Sequence, residues 1–194
     1  MNLIIASNNK HKVEEISTIL AGKFDSIKSL AEANIVCDPD ESGATFLENA
    51  LIKANAVGKL CNCAVLADDT GLCVDALGGK PGIFSARYAA TAECGAHDDA
   101  ANRKKLLQDL RGAQNRSAHF ECVVVLRYPN GKLLSATGKV NGRILTEEHG
   151  TNGFGYDSLF FADDLQKTFA EADSHEKNAV SHRGRALAAL LKML

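Results

Sequence analysis

The first twenty residues constrain the fold more than any other stretch. Residues 3–6 form a short apolar run with the composition of a buried strand, and it breaks at once into Ser7-Asn8-Asn9-Lys10-His11-Lys12. Val13, Ile16, Ile19 and Leu20 then recur at helical spacing. A strand, a polar loop and a helix in immediate succession open an α/β fold. Farther along, residues 120–126 and 133–140 flank Tyr128-Pro129-Asn130-Gly131. Asn-Gly between two apolar runs is a strong hairpin signal, so the predicted sheet is mixed rather than wholly parallel.

Other elements follow by the same rules. Thr45-x-x-Glu48 has the pattern of a capping box and precedes Phe46, Leu47, Ala50, Leu51 and Ala54 on one helical face. Residues 63–66 read as a strand that ends in a turn at Asp68-Asp69-Thr70-Gly71, with residues 72–77 as a further short strand. Gly78-Gly79-Lys80-Pro81-Gly82 is a loop, and residues 98–110 carry Leu106, Leu107 and Leu110 on a charged amphipathic helix. Residues 150–157 form a glycine-rich polar loop leading into Leu159-Phe160-Phe161. Residues 181–194 read as a last helix with Ser181 as its cap and Leu187, Leu190 and Leu191 inward. No repeat, low-complexity tract or linker interrupts residues 1–194, which predicts one α/β domain.

Charge excludes some functions. Twenty-two Lys and Arg stand against 24 Asp and Glu, a formal net charge of −2, so no basic excess exists for a nucleic-acid backbone. A single nucleotide needs only a few local cations. The six cysteines, Cys37, Cys61, Cys63, Cys73, Cys94 and Cys122, contain no C-x-x-C pair and do not resemble a zinc site. They read as small buried apolar residues of a reducing compartment. The amino terminus lacks the basic region of a signal peptide, and no apolar run approaches the ~20 residues that a bilayer span needs. The expectation is a cytoplasmic protein that engages neither membrane nor nucleic acid.

Four places have the residue types for chemistry, and each also has a plain reading. Ser7 through Lys12 lie between a strand end and a helix start, where backbone N–H groups, amides and lysines can hold phosphates. The same residues suit a solvated loop with Ser or Asn as the helix cap. Asp68-Asp69 is a carboxylate pair at a strand end, with Glu41 and Glu48 upstream, suited to Mg²⁺ or to a solvated turn. Glu48 is discounted as a ligand because the capping box occupies it. Lys53 lies four residues after Asn49, so the two share one helix stripe, which suits either the same cleft or, more commonly, a solvated lysine. Lys177, His182 and Arg183 cluster near the last helix, and His182 and Arg183 in its first turn oppose the helix dipole. Either they splay into solvent or a ligand compensates them. The G-x-x-x-x-G-K-[ST], G-x-S-x-G and H-E-x-x-H motifs do not occur, which removes P-loop, serine-hydrolase and zinc-protease readings.

Six motifs in order resemble one family. They are Ser7-x-Asn9-x-x-Lys12; Glu41-Ser42-Gly43-x-Thr45-Phe46-x-Glu48-Asn49-Ala50; and residues 67–77, Ala-Asp-Asp-Thr-Gly-Leu-x-Val-Asp-Ala-Leu. Pro81-Gly82-Ile83-Phe84-Ser85-Ala86-Arg87-Tyr88, Gly153-Phe154-Gly155-Tyr156-Asp157 and Glu176-Lys177-Asn178-Ala179-x-Ser181-His182-Arg183-Gly184 complete the set. From residue 3 to residue 194 the chain resembles the pyrophosphatases of non-standard purine nucleoside triphosphates, the inosine/xanthosine triphosphatase or dITP/XTP pyrophosphatase family. That resemblance implies an elongated mixed β-sheet with flanking helices, two lobes around a central nucleotide cleft, and a homodimer. It implies Mg²⁺-dependent hydrolysis of ITP, dITP and XTP to the monophosphate and pyrophosphate, which keeps these nucleotides out of DNA and RNA.

The same resemblance implies roles. Ser7, Asn8, Asn9, Lys10, His11 and Lys12 hold the triphosphate with Lys53 nearby. Asp69 is the catalytic carboxylate, as general base or as holder of the metal, and Glu41 is a second metal ligand. Thr70, Phe154, Gly155, Tyr156, Asp157, Lys177, His182 and Arg183 contact substrate, with Phe154 stacked on the purine and His182 and Arg183 reading its edge. Thr70 stands where Ser is usual, Phe84 where Tyr is common, and Ser158 where Pro often follows the Asp, which predicts a looser loop there. A pyrophosphatase for other altered nucleotides and a catalytically silent nucleotide sensor are the competing readings. The Ser181-His182-Arg183 motif disfavours the first, and the retention of Glu41, Asp69 and Lys12 disfavours the second.

Overall fold

A computed structural model describes residues 1–90 and 97–194; Cys94, read above as a buried apolar residue, lies outside them. Among the described residues the strands are β1 (Asn2–Ile5), β2 (Ser26–Ser29), β3 (Ala64–Val74), β4 (Ser117–Arg127), β5 (Leu133–Ile144), β6 (Phe160–Ala162) and β7 (Lys167–Thr168). They form one sheet in the order β2-β1-β3-β4-β5-β6-β7. β1 pairs parallel with both β2 and β3, whereas β5–β6 and β6–β7 are antiparallel, so the sheet is mixed as expected. The helices are α1 (Lys10–Ile19), α2 (Phe46–Gly58), α3 (Asp99–Asp109), α4 (Ser174–Val180) and α5 (His182–Leu191). No helix of the described residues is long and apolar enough to cross a membrane.

The chain divides into two compact units. The first comprises Met1–Asp69, Cys122–Gly138 and Arg183–Leu194; the second comprises Thr70–Glu121 and Lys139–His182. Strands β3, β4 and β5 give residues to both.

Alternation along the strands builds the first unit. Leu3, Ile5, Ala64 and Leu66 pack on one face with Ile16 of α1, with Leu20 at its C-cap, and with Ala186, Leu187 and Leu190 of α5. Ile4, Ala6, Val65 and Ala67 pack on the other with Ala50, Ala54 and Val57 of α2. Both faces are covered, which explains why residues 3–6 and 64–67 read as unbroken apolar runs. In the second unit, Leu106 of α3 and Leu110 at its C-cap pack among Phe120, Val140, Ile144, Phe160 and Phe169.

Two expectations need correction. The predicted turn at Asp68-Asp69-Thr70-Gly71 is absent, because β3 continues without a break from Ala64 to Val74. Its turn-like composition is overridden because the two Asp side chains find cationic partners inside the fold and β3 lies between β1 and β4 in the sheet. The cysteines are not uniformly buried: Cys122 is, whereas Cys37, Cys61, Cys63 and Cys73 are half-exposed free thiols.

Candidate active site

Asp68 and Asp69 are adjacent on an extended strand, so their side chains point to opposite faces of the sheet. They therefore do not form the paired-carboxylate site that adjacency suggested. Asp68 faces the α1 and α5 side, where its Oδ2 lies 3.0 Å from Lys12 Nζ and accepts from Arg183 Nε and Nη2 at 3.3 and 3.2 Å. Arg183 also donates through Nη1 to Glu15 of α1. Asp69 faces α2, where it accepts from Asn49 Nδ2 at 3.3 Å and from Lys53 Nζ at 3.0 Å. Glu41 reaches the same Lys53 Nζ at 3.2 Å. The shared stripe of Asn49 and Lys53 thus converges on one carboxylate.

Local sequence explains how these groups are held. Asn9 caps α1, its Oδ1 accepting from Lys12 N at 3.2 Å, while Ser7 Oγ accepts from Asn9 N at 3.2 Å. The cap directs α1 so that Lys12 reaches Asp68. Thr45 caps α2 by accepting from Glu48 N, and the Glu48 carboxylate turns back to Ala44 N at 2.6 Å, a capping role as expected. Gly43 donates to Asn49 Oδ1 at 2.9 Å, and a Cβ at Gly43 would sit 2.6 Å from that oxygen.

Electrostatics separates the two aspartates. Burial opposes ionisation of Asp68, yet Lys12, Arg183 and Lys53 outweigh it and hold the carboxyl well below the ordinary carboxylate range. For Asp69 burial prevails, assisted by the nearby Glu41, and its pKa is raised despite Lys53 and Lys12. Burial works against the charge of Lys53, but Asp69, Asp68 and Glu41 together raise its pKa, so it remains an ammonium. These contacts set Lys12, Lys53 and Arg183 against Glu15, Glu41, Asp68 and Asp69, three cations against four carboxylates. Among the described residues, no three His, Cys, Asp or Glu side chains are arranged to hold a metal ion by themselves. Glu41 and Asp69 nevertheless converge on a single cationic centre, Lys53 Nζ. Two carboxylates are hard oxygen donors of the kind a small divalent cation takes.

The second unit has its own cluster. Lys177 of α4 is buried and lies 2.7 Å from Asp157 Oδ2, which also accepts from Phe154 N at 2.9 Å. Lys177 Nζ stands 4.8 Å above the Phe154 ring and 5.7 Å from the Phe169 ring, within cation–π range. Gly153 has φ +76°, and a Cβ there would come within 2.1 Å of Asp157 Oδ2, so only glycine admits this carboxylate. Tyr156 is buried and donates through its hydroxyl to Ser85 O at 2.8 Å. His182 is buried, stacked at 4.7 Å on Phe120 and at 6.4 Å on Phe169.

The family model described as "Ham1 family" matches residues 3–193. The chain belongs to the Ham1 family. It is 48% identical over 199 residues to the dITP/XTP pyrophosphatase of Leuconostoc mesenteroides, covering all of this chain and 96% of that one. It is 45% identical over 193 residues to the dITP/XTP pyrophosphatase of Bacillus subtilis, covering 98% and 96% of the two chains. The solved Ham1 protein of Staphylococcus aureus superposes with a TM-score of 0.86 at 38% identity, over 100% of this chain and 97% of that one.

Within this Ham1 fold the residues singled out from sequence fall into two groups. Ser7, Asn8, Asn9, Lys10, His11, Lys12, Glu41, Lys53, Asp69 and Arg183 belong to the first unit, and Thr70, Phe154, Gly155, Tyr156, Asp157, Lys177 and His182 to the second. Asn8, Lys10 and His11 are exposed, with Asn8 Nδ2 donating to Cys37 O at 3.4 Å. His182 and Arg183 are buried, so they do not splay into solvent. Aromatic rings enclose His182, and the protein's own Asp68 and Glu15 compensate Arg183. Sequence reasoning missed Glu15 as a partner, although Lys12 and Glu15 at i,i+3 share a helix face. It placed Asn49 on the stripe of Lys53 but gave it no role, because an amide in a helix carries no signal of its target across the fold.

Proposed function

We propose that the chain hydrolyses dITP, ITP and XTP to the nucleoside monophosphate and pyrophosphate. The observation that carries this is Asp69, a buried carboxylate with a raised pKa, held by Asn49 and Lys53. A raised pKa makes the carboxylate a stronger base than an ordinary aspartate. Relatives over the full chain bear the name dITP/XTP pyrophosphatase, which supports the substrate class.

The step balances simply. Water adds to phosphorus at the anhydride between the α- and β-phosphates, its proton passes to Asp69, and the bond to pyrophosphate breaks. Charge on the leaving group is the main obstacle, and fixed cations lower it. Lys12, held at the start of α1, and the backbone of Ser7 through Lys12 are assigned to the phosphates, with Lys53 beside Asp69. We assign Glu41 and Asp69 to Mg²⁺, which when bound neutralises phosphate charge. Phe154 is assigned to the purine, supported by a ring steadied through Asp157 and Lys177. Thr70, His182 and Arg183 are carried over by resemblance; the burial of Arg183 between Asp68 and Glu15 supports an anchoring role for it. We also propose that the two units act as one domain, and that the protein is a cytoplasmic homodimer, checked by a sedimenting mass twice that of the chain.

The test is release of pyrophosphate and orthophosphate from ITP, XTP, dITP, GTP, ATP and altered pyrimidine triphosphates with Mg²⁺. Expected are monophosphate and pyrophosphate in equal amounts, with no orthophosphate, from the 6-oxopurine substrates. Stoichiometric orthophosphate would mark a stepwise phosphatase, and turnover confined to altered pyrimidines would move the substrate class.

A further inference from the structure

The loop of residues 153–157 is gripped from a second direction by α3. Asp99 Oδ2 accepts from Gly155 N at 2.8 Å, and Arg103 Nη1 donates to Gly155 O at 2.9 Å. Asp99 and Arg103 are one helical turn apart, so one helix face holds both polar groups of a single residue. Gly155 sits at φ +60°, the left-handed region, between Phe154 and Tyr156. Arg103 is itself braced: its Nε lies 2.9 Å from Glu148 Oε2, which accepts from Ser158 Oγ at 2.7 Å. Ser158, where the sequence pattern predicted loosening because Pro is usual, instead joins this chain of contacts. Its carbonyl also accepts from His149 N at 2.9 Å, so the loop is tied on both sides of Tyr156-Asp157.

We infer that Asp99 and Arg103 are positioning residues that set the Phe154 ring for the purine, with Glu148 and Ser158 bracing Arg103. The inference rests on the assignment of Phe154 to the base. Asp157 and Lys177 hold the Phe154 amide and ring face, and the α3 pair holds the two peptide groups on either side of the Gly155 Cα. Neither Asp99 nor Arg103 touches substrate. Their effect is to spare the ring the ordering cost that binding otherwise meets.

Arg103→Ala and Asp99→Ala are measured against Asp99→Asn, whose amide oxygen still accepts from Gly155 N. Stacking on an aromatic side chain is worth ~1–3 kcal/mol per base, so partial loss of ring order should raise KM for ITP about tenfold in both Ala variants. kcat should stay within about twofold, and Asp99→Asn should keep the native KM. Inhibition by inorganic tripolyphosphate, which has no base, should be unchanged. In a Phe154→Ala background Arg103→Ala should add nothing, since the group it acts through is gone. Equal losses in kcat and kcat/KM, weakened tripolyphosphate inhibition, or full additivity with Phe154→Ala would each overturn the inference. Amide exchange at Gly155 tests the clamp without substrate: protection falls in the Ala variants and holds in Asp99→Asn. Unchanged protection refutes the clamp itself. Unprotected Gly155 with a protein inactive on ITP refutes instead the assigned function.

Discussion

Arg183 offers the sharpest test of the first-unit cluster. By resemblance it reads the purine edge, yet its side chain is 1% exposed and bound to Asp68, also 1% exposed, and to Glu15. Arg183→Ala removes the cation and leaves Asp68, which is fully buried, and Glu15 without their guanidinium partner. Breaking a buried ion pair from one side costs about 3–5 kcal/mol. For a chain of this size one kcal/mol shifts Tm by about 2–4 °C, so the variant should melt about 6–20 °C lower. The assay is thermal and urea unfolding of wild type, Arg183→Ala, Asp68→Asn and the double variant. Because the stranded charge is the cause, Asp68→Asn should recover part of the loss, giving a double variant less destabilised than the sum of the singles. A Tm within 2 °C or so of wild type for Arg183→Ala, with the ITP-to-ATP preference collapsed, would refute the anchoring argument and return Arg183 to base reading.

Other predictions concern the same residues. Asp69→Asn keeps shape and partners but loses the base, so turnover should fall at least ~10²-fold with the fold intact; near-normal turnover with Mg²⁺ present would sink the assignment. Lys12→Ala should weaken ITP, XTP and ATP alike in kcat/KM, whereas a changed preference among them would mean that the loop senses the base. Asp68 has a folded pKa depressed from 3.8, so its contribution to stability is complete above that value and lost as pH falls through the folded one. Tm measured from neutral to strongly acidic pH should therefore fall more steeply at the acid end for wild type than for Asp68→Asn, and parallel curves would exclude this origin. Gly153→Ala forces a methyl into Asp157 at positive φ, and should raise KM for ITP while leaving tripolyphosphate inhibition intact.

Much of the local structure was legible in the sequence because it depends on neighbours in the chain. An unbroken apolar run marked β1, helical spacing marked α1 and α3, and Thr45-x-x-Glu48 marked the start of α2. Asn130-Gly131 marked the β4–β5 turn, closed by Tyr128 N donating to Lys132 O at 2.8 Å. The short strands β2 and β7 were not visible, since Ser26–Ser29 and Lys167–Thr168 carry almost no apolar pattern of their own. Neither was α4, whose seven residues show little periodicity, although Asp173 and Glu176 form a capping box at its start.

The residue types, the family motifs and the shared stripe of Asn49 and Lys53 were all determined by sequence, because each is a matter of identity and spacing. Only the tertiary structure decided which charges meet. Pleating sends Asp68 and Asp69 to opposite faces of β3, so one carboxylate is committed to Lys12 and Arg183 while the other meets Lys53 and Glu41. Asp68 and Arg183 stand 115 positions apart. No local pattern records such a pairing. It arises because α5 packs on the same sheet face as α1, and a buried guanidinium must find carboxylates there or stay unfolded.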